Sequence, residues 1–436
     1  MSQALLIRSR RFAPLFATQF LGAFNDNVFR FALVIFVTFT VAARSGMDTR
    51  MLVVLTGGIF ILPFFLFSAL AGQLADKYEK SRLIRMIKSA EIIIMGLGAV
   101  GFWLGSYPFL LAVLFLMGTQ STFFGPLKYG VLPQHLGSDE LTGGNGLIQM
   151  ATYIAILTGG MAGGLLASLG TSAPVAIIAS VIGIAVLGRV ASAFIPAANA
   201  SDPSIVIDAN LLRSTWTILV ESSRDRSVFT LILLISLFWF AGATYLSVVP
   251  SYGKELLGAD EQAVTLLSTA FTLGIGIGSL ACEKLSRSRV ELGLVPLAAL
   301  GMGLAALDVW FAGVPAARST PLTLATFFSH GPALRMFVDL TVIGAAGALY
   351  IVPLYAALQQ RVPAEWCARM LAALNITNAL FMVFSAGFTM ALYAVGISIP
   401  GVFAAVAVLG LLGMAAGMVA LPEFAARVGA LLRRGR

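Results

Sequence analysis

The chain has 436 residues, of which 58% are hydrophobic and 11% are charged, and its mean hydropathy is +0.92. Soluble globular proteins carry roughly 25% charged residues. The composition therefore excludes a soluble domain and indicates a protein that crosses a membrane several times. The net charge of +8 does not indicate nucleic-acid binding, because the bases are spread over short loops and ends rather than gathered in one domain.

Apolar segments recur along the whole chain. A helix that crosses the hydrocarbon core needs about 20 apolar residues, and twelve segments meet this need. They cover 12–43, 50–74, 83–105, 107–127, 141–168, 172–195, 228–252, 261–282, 291–314, 332–358, 366–394 and 398–421. The first is too long for a signal peptide, so we expect it to be retained. The sequence predicts an all-α membrane protein with twelve transmembrane helices.

Lysine and arginine lie mainly on one side of these segments. That side includes both ends of the chain and the predicted loop 75–88. The bases of this loop are Lys77, Lys80, Arg82, Arg85 and Lys88. Because loops rich in Lys and Arg stay in the cytoplasm, both termini are predicted to be cytoplasmic.

A long polar linker at 196–227 divides the segments into two groups of six. It predicts an N-terminal half over 1–195 and a C-terminal half over 228–436, as in transporters built from two repeats. Between Asp208 and Ser223, apolar residues near helical spacing predict an amphipathic helix on the membrane surface. We expect the linker to tie the two halves together.

Small residues recur four positions apart on the fifth and eighth segments. The pairs are Gly159 with Gly163, Gly160 with Gly164, and Gly274 with Gly278. This spacing predicts close contacts between helix backbones. It is compatible both with static packing and with helices that slide.

The first segment contains Asn25, Asp26, Asn27 and Arg30 where lipid or packed helix is expected. A charge at a helix centre costs roughly 2.5–3.5 kcal/mol on insertion scales, so an ionisable residue there is a functional candidate. Asp26 and Arg30 lie one helical turn apart. They form either a self-neutralised pair that faces the helix bundle or part of a polar site that faces a central cavity, and we favour the cavity.

The tenth segment repeats this spacing. Arg335 and Asp339 lie four residues apart and are a candidate second charged pair. Glu91 in the third segment and Asp308 in the ninth have no assigned role. Any of these acids is a candidate carrier of a coupled proton.

The loop between the second and third segments reads GQLADKYEKSR from Gly72 to Arg82. It resembles the cytoplasmic loop signature of the major facilitator superfamily, G-x-L-A-D-[RK]-x-G-[RK]-x-[RK]. The resemblance implies a gating role for Gly72, Asp76, Lys77 and Arg82. Gly72 would permit a tight helix contact, and Asp76 would cap a helix end or meet a base across the two halves. The chain departs from the signature at Glu79, where glycine is usual, and this bears on the geometry of the turn.

Three further stretches are similar to the lysophospholipid transporter family, which includes the transporter part of bifunctional acyltransferase fusions. They run from Gln19 to Arg30, from Gln120 to Tyr129, and through LPQHL at 132–136. The resemblance implies a flippase that moves lysophospholipids, chiefly lysophosphatidylethanolamine, to the cytoplasmic leaflet for reacylation. In a two-membrane bacterium the setting would be the inner membrane. A separate acyltransferase that uses the delivered lipid is a candidate partner.

The family resemblance also implies functional positions at Asp26 and Lys128. The family uses a base in the seventh segment, but the chain has none between 228 and 250. Either that part of the site differs, or Arg30 and Arg335 supply the positive charge.

The chemistry of a lysophospholipid head fits the same residues. A phosphate needs a base, and an amine needs an acid or amides. The candidate substrate-binding residues are Asn25, Asp26, Asn27, Arg30, Gln120 and Lys128. Candidate apolar walls for the acyl tail are Phe20, Phe24, Phe123 and Phe124.

An enzyme is not indicated. His135 to Asp139 is one residue short of the acyltransferase pattern H-x-x-x-x-D, and no Walker phosphate loop is present. Cys282 and Cys367 have no metal-ligand spacing, so we predict neither a metal nor another cofactor. No fused acyltransferase is expected after the last segment. The alternative functions are a proton-coupled exporter of amphipathic drugs or other small molecules and, less favoured, a membrane scaffold.

Overall fold

The computed structural model describes residues 3–36, 49–167, 169–286, 289–313 and 321–434. Residues 37–43 of the first predicted segment lie outside this range. The described part contains fourteen helices of twelve residues or more. They are α1 (Ala13–Phe36), α2 (Thr49–Lys77), α3 (Lys80–Leu104), α4 (Tyr107–Gly130), α5 (Leu141–Ala167), α6 (Ala173–Ala193), α7 (Leu211–Arg224), α8 (Arg226–Ser251), α9 (Glu261–Ser286), α10 (Leu294–Ala312), α11 (Gly331–Arg361), α12 (Cys367–Ala394), α13 (Ile399–Ala420) and α14 (Glu423–Arg434).

Among the described residues, ten helices are long and apolar enough to cross a membrane. They are α2, α4, α5, α6 and α8 to α13. Two more, α1 and α3, have 24 and 25 residues but carry charged side chains well inside the helix. The protein is thus an all-α membrane protein, and the count of twelve spans stays a prediction.

The chain forms two compact units. Unit 1 comprises Met1–Ser138, Ala151–Ser222 and Val362–Ile376, and unit 2 comprises Asp139–Met150, Ser223–Arg361 and Thr377–Arg436. Helices α5, α7 and α12 therefore each contribute residues to both units. The division into sequence halves over 1–195 and 228–436 stays a prediction.

The core of unit 1 is built from α1, α3, α4 and α6. Phe29 of α1 packs edge-on against Phe102 of α3, with ring centroids 5.5 Å apart. A Cβ added at Gly159 or Gly163 of α5 would lie 2.5 Å from a backbone oxygen of α1. The predicted close contact on the fifth segment is therefore confirmed, because only a residue without a side chain lets these backbones meet.

In unit 2 the tightest helix contact joins α9 to α11. A Cβ added at Gly274 would lie 2.1 Å from the backbone oxygen of Thr341, and one at Gly278 would lie 2.1 Å from that of Ala345. The predicted small-residue contact on the eighth segment is confirmed. These glycines allow α11 to lie directly against its neighbour.

The linker contains the amphipathic helix α7. Ile218 is buried, whereas Leu212 and Trp216 are exposed. Just before this helix, the backbone N–H of Asp208 donates to Gln73 Oε1 at 2.7 Å, within unit 1. A position of α7 on the membrane surface stays a prediction.

Candidate functional site

Polar side chains of α1 meet α3 and α4 inside unit 1. Asn25 Nδ2 donates to Glu91 Oε1 at 3.0 Å, and Gln120 Nε2 donates to Glu91 Oε2 at 3.2 Å. Ser121 Oγ donates to Asp26 Oδ2 at 2.7 Å. The structure thus brings three of the predicted site residues together. We call this group the charged cluster; its members are Asn25, Asp26, Lys88, Glu91, Gln120 and Ser121.

Lys88 and Glu91 form an ion pair at the centre of the charged cluster, and each side chain is only 1% exposed. The prediction that Lys88 is a base of the cytoplasmic loop was wrong. Helix α3 begins at Lys80, so Lys88 lies more than two turns inside it. Gly22 makes room for the buried side chain, because a Cβ at that position would lie 2.6 Å from Lys88 Nζ.

Asp26 and Arg30 do not form the directly bonded pair that their spacing allows. No ion pair within 4.0 Å joins them in the described part of the chain. The Arg30 guanidinium lies 4.6 Å from the centre of the Phe60 ring, a cation–π contact. Asp26 Oδ1 and Asn25 Oδ1 are buried and make no hydrogen bond there. The acid therefore keeps a free acceptor atom.

Lys128 lies on the same face of α4 as Ser121, two helical turns further on. Its Nζ lies 5.1 Å from the centre of the Tyr129 ring, and Asp26 attracts its charge. Asn27 differs from the other candidates, because its Nδ2 donates to the Ala23 backbone oxygen of its own helix at 2.7 Å. Asn27 is therefore not part of the charged cluster.

The aromatic candidates for a tail-binding wall divide into two kinds. Phe20 and Phe24 stack on each other at 5.9 Å, and Phe123 stacks on Phe67 at 6.3 Å. Phe124 is buried instead, and its ring centre lies 5.6 Å from Lys88 Nζ. Phe124 therefore supports the buried base rather than an apolar wall.

Three charges around the charged cluster have no ion-pair partner in the described residues. They belong to Asp26, Arg30 and Lys128, whereas Lys88 and Glu91 neutralise each other. Two bases and one acid leave a net charge of +1. Such a set can bind a group that carries both a negative and a positive charge.

Asp76 of the signature loop is fully buried in unit 1. Its carboxylate accepts the backbone N–H groups of Ala368 and Arg369 at 3.2 Å and Arg369 Nε at 3.0 Å. The expected helix cap is confirmed, and Asp76 also meets a base within unit 1. That such a contact joins the two halves stays a prediction. Gly72 allows α2 to approach α12, because a Cβ there would lie 2.8 Å from Ala372 Cβ. A gating role for these residues stays a prediction.

Glu79 stands where the signature has glycine, and the structure explains why a side chain is tolerated. Its φ is −60°, which any residue can adopt. Its carboxylate caps α3 by accepting the N–H groups of Ser81 and Arg82, and it also accepts the N–H of Ala198. Burial alone would raise the pKa of Glu79, but these hydrogen bonds outweigh it and lower the pKa.

The remaining signature bases contact the linker or solvent. Lys77 Nζ donates to the backbone oxygen of Ile205 at 2.8 Å. The side chain of Arg82 is exposed. Lys80, which was not a candidate, is buried, and its Nζ donates to Ser201 Oγ at 2.7 Å. The loop and the linker are therefore held together inside unit 1.

In unit 2, Arg335 bonds to Asp308 and not to Asp339. Its Nε and one terminal nitrogen lie 2.7 and 2.6 Å from the two Asp308 oxygens. The predicted pair is thus corrected: α10 places a second acid against the arginine. Helix α8 has no base after Arg226, and its Trp239 Nε1 donates to the Tyr355 hydroxyl at 3.3 Å.

Three members of the site were not predicted from the sequence. Glu91 had no assigned role, Lys88 was assigned to a loop, and Ser121 was not singled out. A signal for the first two was available, because an acid and a base three residues apart in an apolar segment can pair on one helix face. Ser121 had none, since a single hydroxyl in a membrane helix is ordinary.

The chain is similar to known membrane transporters in both sequence and fold. A family model for the Major Facilitator Superfamily matches residues 15–385. The Lysophospholipid transporter LplT of Salmonella heidelberg is 30% identical over 358 residues, covering 81% of both chains. The protein of the same description from Serratia proteamaculans is 27% identical over 355 residues, again covering 81% of both.

Solved structures share the fold. The human organic anion transporter MFSD10 (TETRAN) has a TM-score of 0.69 at 15% identity, covering 93% of this chain and 98% of its own. The E. coli fucose:proton symporter FucP has a TM-score of 0.67 at 14% identity, covering 94% and 98%. The protein is therefore a multi-pass membrane transporter rather than an enzyme, and it belongs to the major facilitator superfamily.

Proposed function

We propose that this protein is a lysophospholipid transporter that moves lysophosphatidylethanolamine-type lipids across the inner membrane, with both of its termini in the cytoplasm. The observation that carries the proposal is the set of three charges on membrane helices of unit 1, Asp26, Arg30 and Lys128, for which the described residues provide no ion-pair partner. The descriptions of the relatives support the same substrate class.

A lysophosphatidylethanolamine head complements these charges. Arg30 and Lys128 bind the phosphate, and Asp26 accepts hydrogen bonds from the ammonium group through its free Oδ1. Asn25 and Gln120 are held in place by Glu91. The Lys88–Glu91 pair thus positions the amides and does not itself bind the lipid.

The acyl tail needs an apolar path. The exposed parts of Phe20, Phe24 and Phe123 offer such a surface, and a sideways opening between helices lets the tail remain in hydrocarbon. Transport proceeds by alternating access, as in other two-repeat transporters. A separate acyltransferase then consumes the lipid that reaches the cytoplasmic leaflet.

The test uses purified protein in liposomes and follows the movement of labelled lysophosphatidylethanolamine between leaflets. We expect transport by the wild type and its loss in Asp26→Asn, which removes the charge and keeps the shape. Asp139→Asn makes the same change at an exposed turn and is the matched control.

Normal lysolipid movement in Asp26→Asn would remove Asp26 from the site. A wild type that moves a cationic dye in response to a pH gradient, but moves no lysolipid, would overturn the substrate and support the proton-coupled exporter. Diacyl lipid serves as the specificity control, since a nonspecific scramblase would move it equally well.

A further inference from the structure

Unit 2 contains a pocket that the proposed function does not use. Its volume is about 260 Å³, and its walls include Tyr252, Val309, Arg335, Met336 and Asp339. These residues come from the turn after α8, the end of α10 and the start of α11. Drug-sized ligand pockets span roughly 300–1,000 Å³, so this one suits a small group rather than a whole lipid.

Two acids and one base lie at the pocket, because Asp308 contacts the Arg335 and Asp339 side chains of its wall. Asp308 holds both the Nε and a terminal nitrogen of Arg335, so this acid and base neutralise each other. Asp339 is a second acid, one helical turn after Arg335. Its carboxyl group interacts with the charges of both members of the pair and lies within hydrogen-bonding reach of the Asp308 carboxyl. When both acids are ionised, two acids and one base leave a net charge of −1.

Asp339 is enclosed but not satisfied. The residue is 8% exposed, and its Oδ2 makes no hydrogen bond in the part of the chain that the structure describes. A buried carboxylate oxygen without a donor is costly. Asp339 Oδ2 is therefore open to a hydrogen-bond donor.

We propose that this pocket binds a primary ammonium group, either of a free amine or of a lipid head. An ammonium group has three N–H donors and a positive charge, which satisfy Asp339 and neutralise the pocket. Tyr252 adds an aromatic side chain, which also favours a cation. A quaternary ammonium group has no N–H donor and is expected to bind more weakly.

The test measures binding of ethanolamine to the purified full-length protein in detergent by calorimetric titration. It is performed in an Asp26→Asn background, so that the charged cluster does not add a second ammonium site. This binding is measured without transport, so its outcome is independent of the proposed lysophospholipid function.

We expect ethanolamine to bind, and Asp339→Asn to weaken it at least about tenfold, because a charge-assisted hydrogen bond is lost. Asp308→Asn also weakens it, since Arg335 then turns to Asp339, whereas Arg335→Gln retains or strengthens it. Asp339→Glu keeps the charge and is expected to retain binding. Asp139→Asn is the matched control, and melting temperatures show that each variant is folded.

Two results would overturn the proposal. The first is no ethanolamine binding by the parent protein, which would make Asp339 a carrier of a proton only. The second is equal binding by Asp339→Asn. Glycerophosphoethanolamine distinguishes the two sources of the ligand: binding much tighter than that of ethanolamine identifies a lipid head, and equal binding identifies a free amine.

Discussion

The two units each contain an acid–base pair beside a second acid, but they bury it to different degrees. In unit 1 the side chains of Lys88 and Glu91 are each 1% exposed. In unit 2 those of Arg335 and Asp308 are 47% and 41% exposed. One acid–base pair is therefore enclosed by protein, and the other is nearly half exposed.

This difference decides what each pair does. Removing two charges from water is costly, and additional hydrogen bonds must offset it. Glu91 receives such bonds from Asn25 and Gln120, so the pair in unit 1 ties three helices together. An exposed pair contributes little to stability, so we expect the pair in unit 2 to matter less for folding than the pair in unit 1.

The largest expected effect comes from breaking the buried pair. Glu91→Gln leaves the Lys88 charge buried without a counter-charge, and we expect a loss of about 3–5 kcal/mol in the free energy of unfolding. The melting temperature in detergent measures it. The double variant Lys88→Met/Glu91→Gln removes both charges and should recover much of the loss. A single variant as stable as the wild type would show that Lys88 is not buried as described.

A smaller loss of stability is expected from displacing Lys88 without changing any charge. Gly22→Ala places a Cβ on Lys88 Nζ, and overpacking typically costs about 1–3 kcal/mol. Gly183→Ala is the matched control, because a Cβ there has no atom within 4 Å among those described. Equal melting temperatures for the two variants would contradict the close packing of Gly22 against the Lys88 side chain.

The helix caps of the two units can be compared in the same way, with a smaller expected loss of stability. Glu79 caps α3 in unit 1 and also accepts the N–H of Ala198, whereas Asp225 caps α8 in unit 2 with bonds to Ser227 and Val228. Replacing a capping side chain by Ala costs about 0.5–2 kcal/mol. We expect Glu79→Ala to lower the melting temperature more than Asp225→Ala, and the reverse order would contradict this.

The cap at Glu79 also predicts a pH dependence. Its pKa in the folded protein is lowered from the ordinary value of 4.5. The stability it adds is therefore fully present above pH 4.5 and is lost as the pH falls through the lowered pKa. We expect the melting temperatures of wild type and Glu79→Gln to converge on acidification, and a constant difference would contradict this sign.

The smallest effect is expected from breaking the exposed pair. Arg335→Gln should leave the melting temperature within the scatter of repeat measurements, because nearly half of each partner's side chain is already exposed. A loss as large as that in Glu91→Gln would show that the pair in unit 2 is also a structural element.

Much of the architecture was predictable because it follows from local patterns. Runs of about 20 apolar residues predict membrane helices, since the bilayer core has a fixed thickness. The resemblance of the signature loop to a family pattern implied that Asp76 would cap a helix end or meet a base across the two halves. The small-residue pairs at Gly159 and Gly274 predicted backbone contacts. Each of these conclusions needs only residues within a few turns of each other.

The partners of the charged side chains were decided by tertiary packing alone. Asp26 bonds to Ser121, 95 residues away, and Arg335 bonds to Asp308 of another helix rather than to the acid one turn along its own. Helical spacing shows which charges can meet on one face, but it does not show what the neighbouring helix presents to them. A buried charged side chain is most stable beside the partner that best offsets the cost of removing its charge from water. Only the packing of the helices determines which partner that is.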